Sequence, residues 1–143
     1  MLVRELMATD VVTVDRDAAL DAAVERMLAE DVGSVVVLAD GTPAGIVTES
    51  DALRAALETG RPLAEIAVAD LCHGAVVTTA PDSTVQRVAR RMADRNVKKV
   101  PVLDGIDLVG IVTLTDVVHH LSDIRREASA VEAARDRWES DDA

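Results

Sequence analysis

"GIVTESD" occupies Gly45–Asp51, and "GIVTLTD" occupies Gly110–Asp116. The two phrases stand 65 residues apart, and so does most of what surrounds them. Sliding the chain on itself by that offset aligns residues 3–57 with 68–122 without a gap, and 17 positions are identical. Among these are Val3/Val68, Leu6/Leu71, Thr13/Thr78, Asp17/Asp82, Met27/Met92, Val32/Val97, Val35/Val100 and Val37/Val102. Scattered apolar matches do not keep one offset over such a span, so the chain carries two copies of one supersecondary unit.

Each copy reads as β-α-β-β-α, an α+β class. "DVVTV" and "AVVTT" are short β-rich runs. Asp17, or the capping box Ser83–Gln86, then predicts a helix start. Leu20, Ala23, Val24 and Met27, and likewise Val85, Val88, Ala89 and Met92, fall at i, i+3, i+4 and i+7, which buries one stripe. The strand runs Val32–Leu38 and Val97–Leu103 follow. Turns at Asp40-Gly41 and Asp104-Gly105 fold them back on Ile46–Thr48 and Leu108–Thr113. A second helix is predicted from Asp51 and from Asp116. Gly60 and Pro62 close the first copy, and 61–70 should play the part that 1–5 play at the start. The expected units are 1–60, 61–122 and a C-terminal helical tail, 123–143, with an acidic end.

Composition bounds the function. At 143 residues and 49% hydrophobic, the chain has enough apolar surface for a core. No apolar run reaches the length of a membrane span, the start lacks the form of a signal peptide, and Cys72 is the one cysteine. These features predict a cytoplasmic protein without a disulfide framework. The net charge is −11, from 17 Asp and 9 Glu against 13 Arg and the two lysines, Lys98 and Lys99. Such a surface repels nucleic-acid phosphates, so polynucleotide binding is not expected. It suits a salt-adapted, halophilic source, and a GC-rich genome poor in lysine codons is the other explanation.

The β-α-β-β-α repeat, the strands "VGSVVVL" and "VKKVPVL" and the doubled "GIVTxxD" ending resemble a tandem pair of cystathionine-β-synthase (CBS) domains of the stand-alone type, over residues 1–122. The resemblance implies two repeats packed around a pseudo-twofold axis with two clefts between them. It implies that the clefts bind adenosine-containing ligands such as AMP, ADP, ATP or S-adenosylmethionine, and that pairs associate as homodimers. It also implies regulation by ligand sensing of some separate protein, without catalysis.

The residue chemistry is compatible with a nucleoside site. An aspartate accepts hydrogen bonds from both ribose hydroxyls, and a helix N-terminus offers N–H groups to a phosphate. Ser, Thr and Asp are also the favoured helix caps, so each phrase has a purely structural reading too. Carried over from the family, the sites are crossed. One cleft would use Thr48, Ser50 and Asp51 with Val76, Thr78, Val97, Lys98, Lys99 and Val100. The other would use Thr113, Thr115 and Asp116 with Val11, Thr13, Val32, Gly33, Ser34 and Val35. Arg95, Lys98 and Lys99 should favour a phosphate in the Asp51 cleft, where the second cleft has Glu30, Gly33 and Ser34.

The remaining features point to structure. His119 and His120 have no partners at metal spacing, Cys72 matches Met7 as an apolar filler, and no nucleophile–base pair or P-loop is present. Val117, Leu121, Ile124, Ala128, Val131, Arg135 and Trp138 step as a short heptad seam with one polar break. Met27, Leu28, Leu53, Met92, Val118 and Leu121 are expected nearest a dimer contact. The reading is a non-catalytic adenine-nucleotide sensor with no metal and no catalytic cofactor. The alternatives are a scaffold whose clefts stay empty and whose terminal helix acts, or a sensor of S-adenosylmethionine or NAD.

Overall fold

A computed structural model describes residues 1–141, with side chains described for 1–131 and 134. In the first copy, β1 (Thr13–Asp15), α1 (Leu20–Glu30), β2 (Ser34–Ala39), β3 (Thr42–Thr48) and α2 (Glu49–Thr59) follow in order. The second copy gives α3 (Val85–Arg95), β4 (Lys99–Asp104), β5 (Asp107–Thr113) and α4 (Leu114–His119), and α5 (Leu121–Asp141) follows. β2 is central, parallel to β1 and antiparallel to β3. The β2–β3 turn has Asp40 at φ 53° and Gly41 at φ 81°, the type I′ pattern that matches strand twist. In the second copy the turn falls one residue later than expected, at Gly105-Ile106, and Gly105 supplies the positive φ of 64°.

Helix starts differ in detail from the sequence expectation. α1 begins after Ala19, and Asp17 instead closes a tight turn by donating its N–H to Asp15 Oδ1 at 2.9 Å. Thr84 caps α3 rather than Ser83, its Oγ1 accepting the Arg87 N–H at 3.2 Å. α2 and α4 start at Glu49 and Leu114, two residues ahead of the aspartates.

The two sheets are unequal. β1 is a strand, whereas its counterpart survives only as a bridge from Thr79 to Val102. The cause is one residue. In the first copy the Val36 N–H donates to the Val12 carbonyl at 2.9 Å. The matching residue in the second copy is Pro101, which has no N–H to give. The ladder is lost there and resumes at Thr79, whose N–H and carbonyl bond Pro101 and Leu103.

Each copy borrows a segment from the other end of the repeat. Val3 and Leu6 lie in the core of the second copy with Val85, Val88, Met92, Val100, Val102 and Val112. Ile66 and Val68 lie in the core of the first with Leu20, Ala23, Met27, Val35, Val37 and Val47. The exchange is reciprocal. Val85 N–H bonds the Met1 carbonyl at 2.9 Å while Leu20 N–H bonds the Ile66 carbonyl at 2.8 Å, the same pair shifted by one repeat. Leu2 bridges Thr84 as Ala67 bridges Ala19. Contacts that repeat with their roles exchanged define a twofold axis, here a pseudo-twofold within one chain. Full burial of each such Val, Leu or Ile contributes about 1.5–3 kcal/mol, so the exchange ties the copies together.

α5 leaves α4 at a break on His120. Its Ile124 is buried in the second core beside Val117. The heptad seam goes no further in the described side chains, because Leu121, Ala128 and Val131 are exposed. The side chains of Arg135 and Trp138 lie outside the described residues. No helix among the described residues is long and apolar enough to cross a membrane.

Candidate ligand-binding site

Where β3 hands over to α2, Thr48 and Asp51 bond each other twice. The Thr48 N–H donates to Asp51 Oδ2 at 3.0 Å, and the Asp51 N–H donates to Thr48 Oγ1 at 3.2 Å. Thr113 and Asp116 repeat the box at 3.0 and 3.1 Å. The capping reading of the doubled phrase therefore holds for its Thr and its Asp. It occupies one carboxylate oxygen of each aspartate, and Asp51 Oδ1 lies 3.7 Å from the Arg54 guanidinium. The half-buried aspartates still line the clefts.

The first cleft has a volume of about 870 Å³. Thr48, Ser50 and Asp51 of the first copy line it together with Val97, Lys98 and Lys99 of the second. Ile46, Gly33, Glu49 and Asn96 complete the wall. An adjoining cavity of about 300 Å³ shares Ile46, Val97 and Lys99 and adds Val76 and Cys72. Two residues named from sequence lie elsewhere: Val100 is buried in the second core, and the Thr78 carbonyl accepts from Arg91 at 2.6 Å. Arg95 is exposed and does not line this cleft, where Asn96 stands instead.

The second cleft, about 280 Å³, joins Thr113 and Asp116 to Val11, Val32, Gly33 and Ser34. Thr115 and Thr13 are outside its lining, and Val35 is buried in the first core. Sequence reasoning passed over Asp10, Ile111 and the return of Lys99 in this wall. The isoleucines had a signal. Strand alternation puts Ile46 on the face of Thr48, and Ile111 on that of Thr113, while Val47 and Val112 turn into the cores.

Charge distinguishes the clefts. The first sets Lys98 and Lys99 against Glu49 and Asp51, and the second sets Lys99 against Asp10 and Asp116. Burial pushes the Lys99 pKa down from the usual lysine value, and Glu49 partly offsets this. Cys72 is half-buried and its thiol is pushed up by desolvation, against a smaller opposite pull from Arg16, which fits a filler and not a reactive thiolate. His120 Nδ1 lies 3.7 Å from Asp123 Oδ2, and no three His, Cys, Asp or Glu side chains among the described residues are grouped to hold a metal.

The family model of the CBS domain matches residues 3–58 and again residues 68–123. The chain belongs to the CBS domain family. It is 32% identical over 110 residues to the mitochondrial CBS domain-containing protein CBSX3 of Arabidopsis thaliana, covering 73% of this chain and 53% of that one. The chain thus spans about half the length of that curated relative. The CBS-domain protein ATU1752 of Agrobacterium tumefaciens superposes with a TM-score of 0.73 at 32% identity, over 83% of this chain and 98% of that one. The CBS pair of protein MJ0100, solved with 5′-methylthioadenosine and S-adenosyl-L-methionine, gives a TM-score of 0.74 over 86% of this chain and 97% of that one. At 23% identity that last likeness speaks for the fold alone. Both CBS repeats and their packing are those of a CBS pair, a type of module that is regulatory in general.

Proposed function

We propose that this CBS pair is a non-catalytic sensor of an adenine nucleotide, bound in the Asp51 cleft, and that it regulates a separate protein as a homodimer. The observation that carries the reading is the crossing of the repeats at that cleft. Asp51 and Ser50 offer a carboxylate and a hydroxyl to a ribose. Lys98 and Lys99 face them from the other repeat and offer charge to a phosphate, with Ile46, Val76 and Val97 as an apolar wall for a base. The capping box does not compete with this role, since a carboxylate oxygen has lone pairs for more than one donor.

Thermal melts in high salt with AMP, ADP, ATP, S-adenosylmethionine and NAD test it. A ligand at a hundred times its dissociation constant adds about 2.7 kcal/mol, which is visible as a raised melting temperature. A rise with the adenine nucleotides supports the reading, and no rise with any of the five removes it. In that case the exposed Leu121 and Val131 on α5 favour the scaffold reading, in which the terminal helix acts.

A further inference from the structure

Lys99 stands where the two clefts meet. It lines the first cleft, its adjoining cavity and the second cleft. Gly33 also belongs to both clefts, and Glu49 approaches it from α2, with its carboxyl carbon 3.8 Å from where a Gly33 Cβ would lie. The repeat makes the arrangement lopsided. Shifted by one repeat, Lys99 corresponds to Ser34, Lys98 to Gly33 and Glu49 to Leu114. A symmetric pair with a lysine at both positions would give each cleft its own cation, whereas here the second cleft has only Lys99, which it shares with the first. The remaining charges differ: Lys98 lines only the first cleft, and Asp10 and Asp116 face the second.

We propose that Lys99 is a shared cation that couples the two clefts negatively, so that an anionic ligand in one weakens binding of an anionic ligand in the other. The inference rests on the nucleoside reading of the clefts. A lysine side chain is one point charge on a flexible stem and satisfies one phosphate at a time. With its ammonium turned to a phosphate in the first cleft, the second presents Asp10 and Asp116 with no cation, and a second phosphate meets net repulsion. Linkage makes the effect reciprocal, with coupling of the usual allosteric size, roughly 5- to 150-fold. A neutral nucleoside makes no demand on Lys99 and escapes the coupling.

Calorimetric titrations of the full chain with AMP and with adenosine test this. Ser50→Trp blocks the first cleft, because Ser50 is exposed and lines it, and is absent from the lining of the second cleft. It isolates the second cleft with the first empty. AMP should bind Ser50→Trp roughly tenfold or more tightly than it takes its second step on the wild-type chain, while adenosine shows little difference between the two. In a Lys99→Gln background the AMP gap should close. An AMP gap no larger than that of adenosine, a gap that survives Lys99→Gln, or no AMP binding to Ser50→Trp overturns the coupling and leaves the nucleoside reading standing. No binding of either ligand to the wild-type chain overturns both. Unchanged circular dichroism and melting temperature of the unliganded variants confirm that each is folded.

Discussion

Gly45 lies directly beneath Cys72: a Cβ built on Gly45 would stand 2.6 Å from the Cys72 Sγ. Gly110 has the same relation to Met7, at 2.7 Å from Sδ, and is also 2.9 Å from the Ala8 carbonyl oxygen. The glycine of each GIVT phrase thus makes room for the segment borrowed from the other end of the repeat. It is a packing residue of the interlock, and Met7 and Cys72 are the matched fillers.

Gly110→Ala should therefore destabilise the chain by about 1–3 kcal/mol, the usual cost of overpacking, because a backbone oxygen has nowhere to go. Gly45→Ala meets mainly a side chain, so adding Cys72→Ala should recover most of its loss. Urea unfolding of the single and double variants measures the coupling. Additive losses would show that the 2.6 Å approach is not what excludes a side chain at 45.

Much of this was legible because a fixed 65-residue offset carries over to three dimensions. Hairpins, helices and the two joints fall where the repeat puts them. What was not legible came from breaks in that symmetry. Pro101 withholds one N–H and unzips a strand that "AVVTT" alone predicts. Asp10 matches Ala75, so alignment of the copies gives no reason to notice it, though it puts a carboxylate in the second cleft. Sequence places Lys99 in one cleft because it shows which strand a residue belongs to, and not that the strand end faces two cavities. Nearness in sequence makes Arg95 a cleft cation, but at the helix end it is exposed to solvent.

The proposed ribose contact would give Asp51 a role separable from its capping bonds with Thr48. Asp51→Asn keeps an oxygen for the Thr48 N–H and removes the charge that the proposed ribose contact needs. It should leave the melting temperature nearly unchanged while costing about 1.5–3 kcal/mol of AMP binding. Asp51→Ala should lose on the order of 1 kcal/mol of folding stability as well, since the capping box opens. Calorimetry on both variants separates the roles. Wild-type AMP affinity in Asp51→Asn would remove Asp51 from the binding site.

Binding of AMP should also report Lys99 through pH. Lys99 faces Glu49 and Asp51 in the first cleft, Asp10 and Asp116 in the second, and Lys98 beside it. Burial lowers its pKa in the free protein, and a bound phosphate raises it again by favouring the ammonium. The affinity Lys99 contributes is thus complete below its free pKa and is lost as pH rises through it. The phosphate itself is fully ionised above about pH 7 and does not titrate in this window. AMP affinity should fall on the alkaline side at a lower pH than an ordinary lysine, near about 10.4, would give. Lys99→Arg, which stays protonated, should flatten the fall. A parallel fall in both proteins assigns it to another group.

Leu28 is 76% and Leu53 73% exposed, and they flank an apolar groove with Val24, Ala52, Ala56 and Leu63 between α1 and α2. Val118 and Leu121 present 58% and 39% of their surface on the second copy. Met27 and Met92, expected at the same contact, are only 3% exposed and belong to the cores. The contact residues should then be Leu28, Leu53, Val118 and Leu121, buried by a twofold partner. High salt should tighten that homodimer by screening repulsion between chains of charge −11 and by strengthening apolar burial. Leu53→Asp should give a monomer whose own fold survives, because the side chain it replaces supports no core. A chain ending at Ser122 would confuse assembly with folding, since it removes the buried Ile124. A chain ending at Val131 keeps Ile124 and asks only whether the outer part of α5 adds to the contact, as we expect. Light scattering at low and high salt checks each variant. A wild-type monomer at micromolar concentration in high salt removes the dimer, whereas an unchanged dimer in the chain ending at Val131 removes only the role of the outer helix.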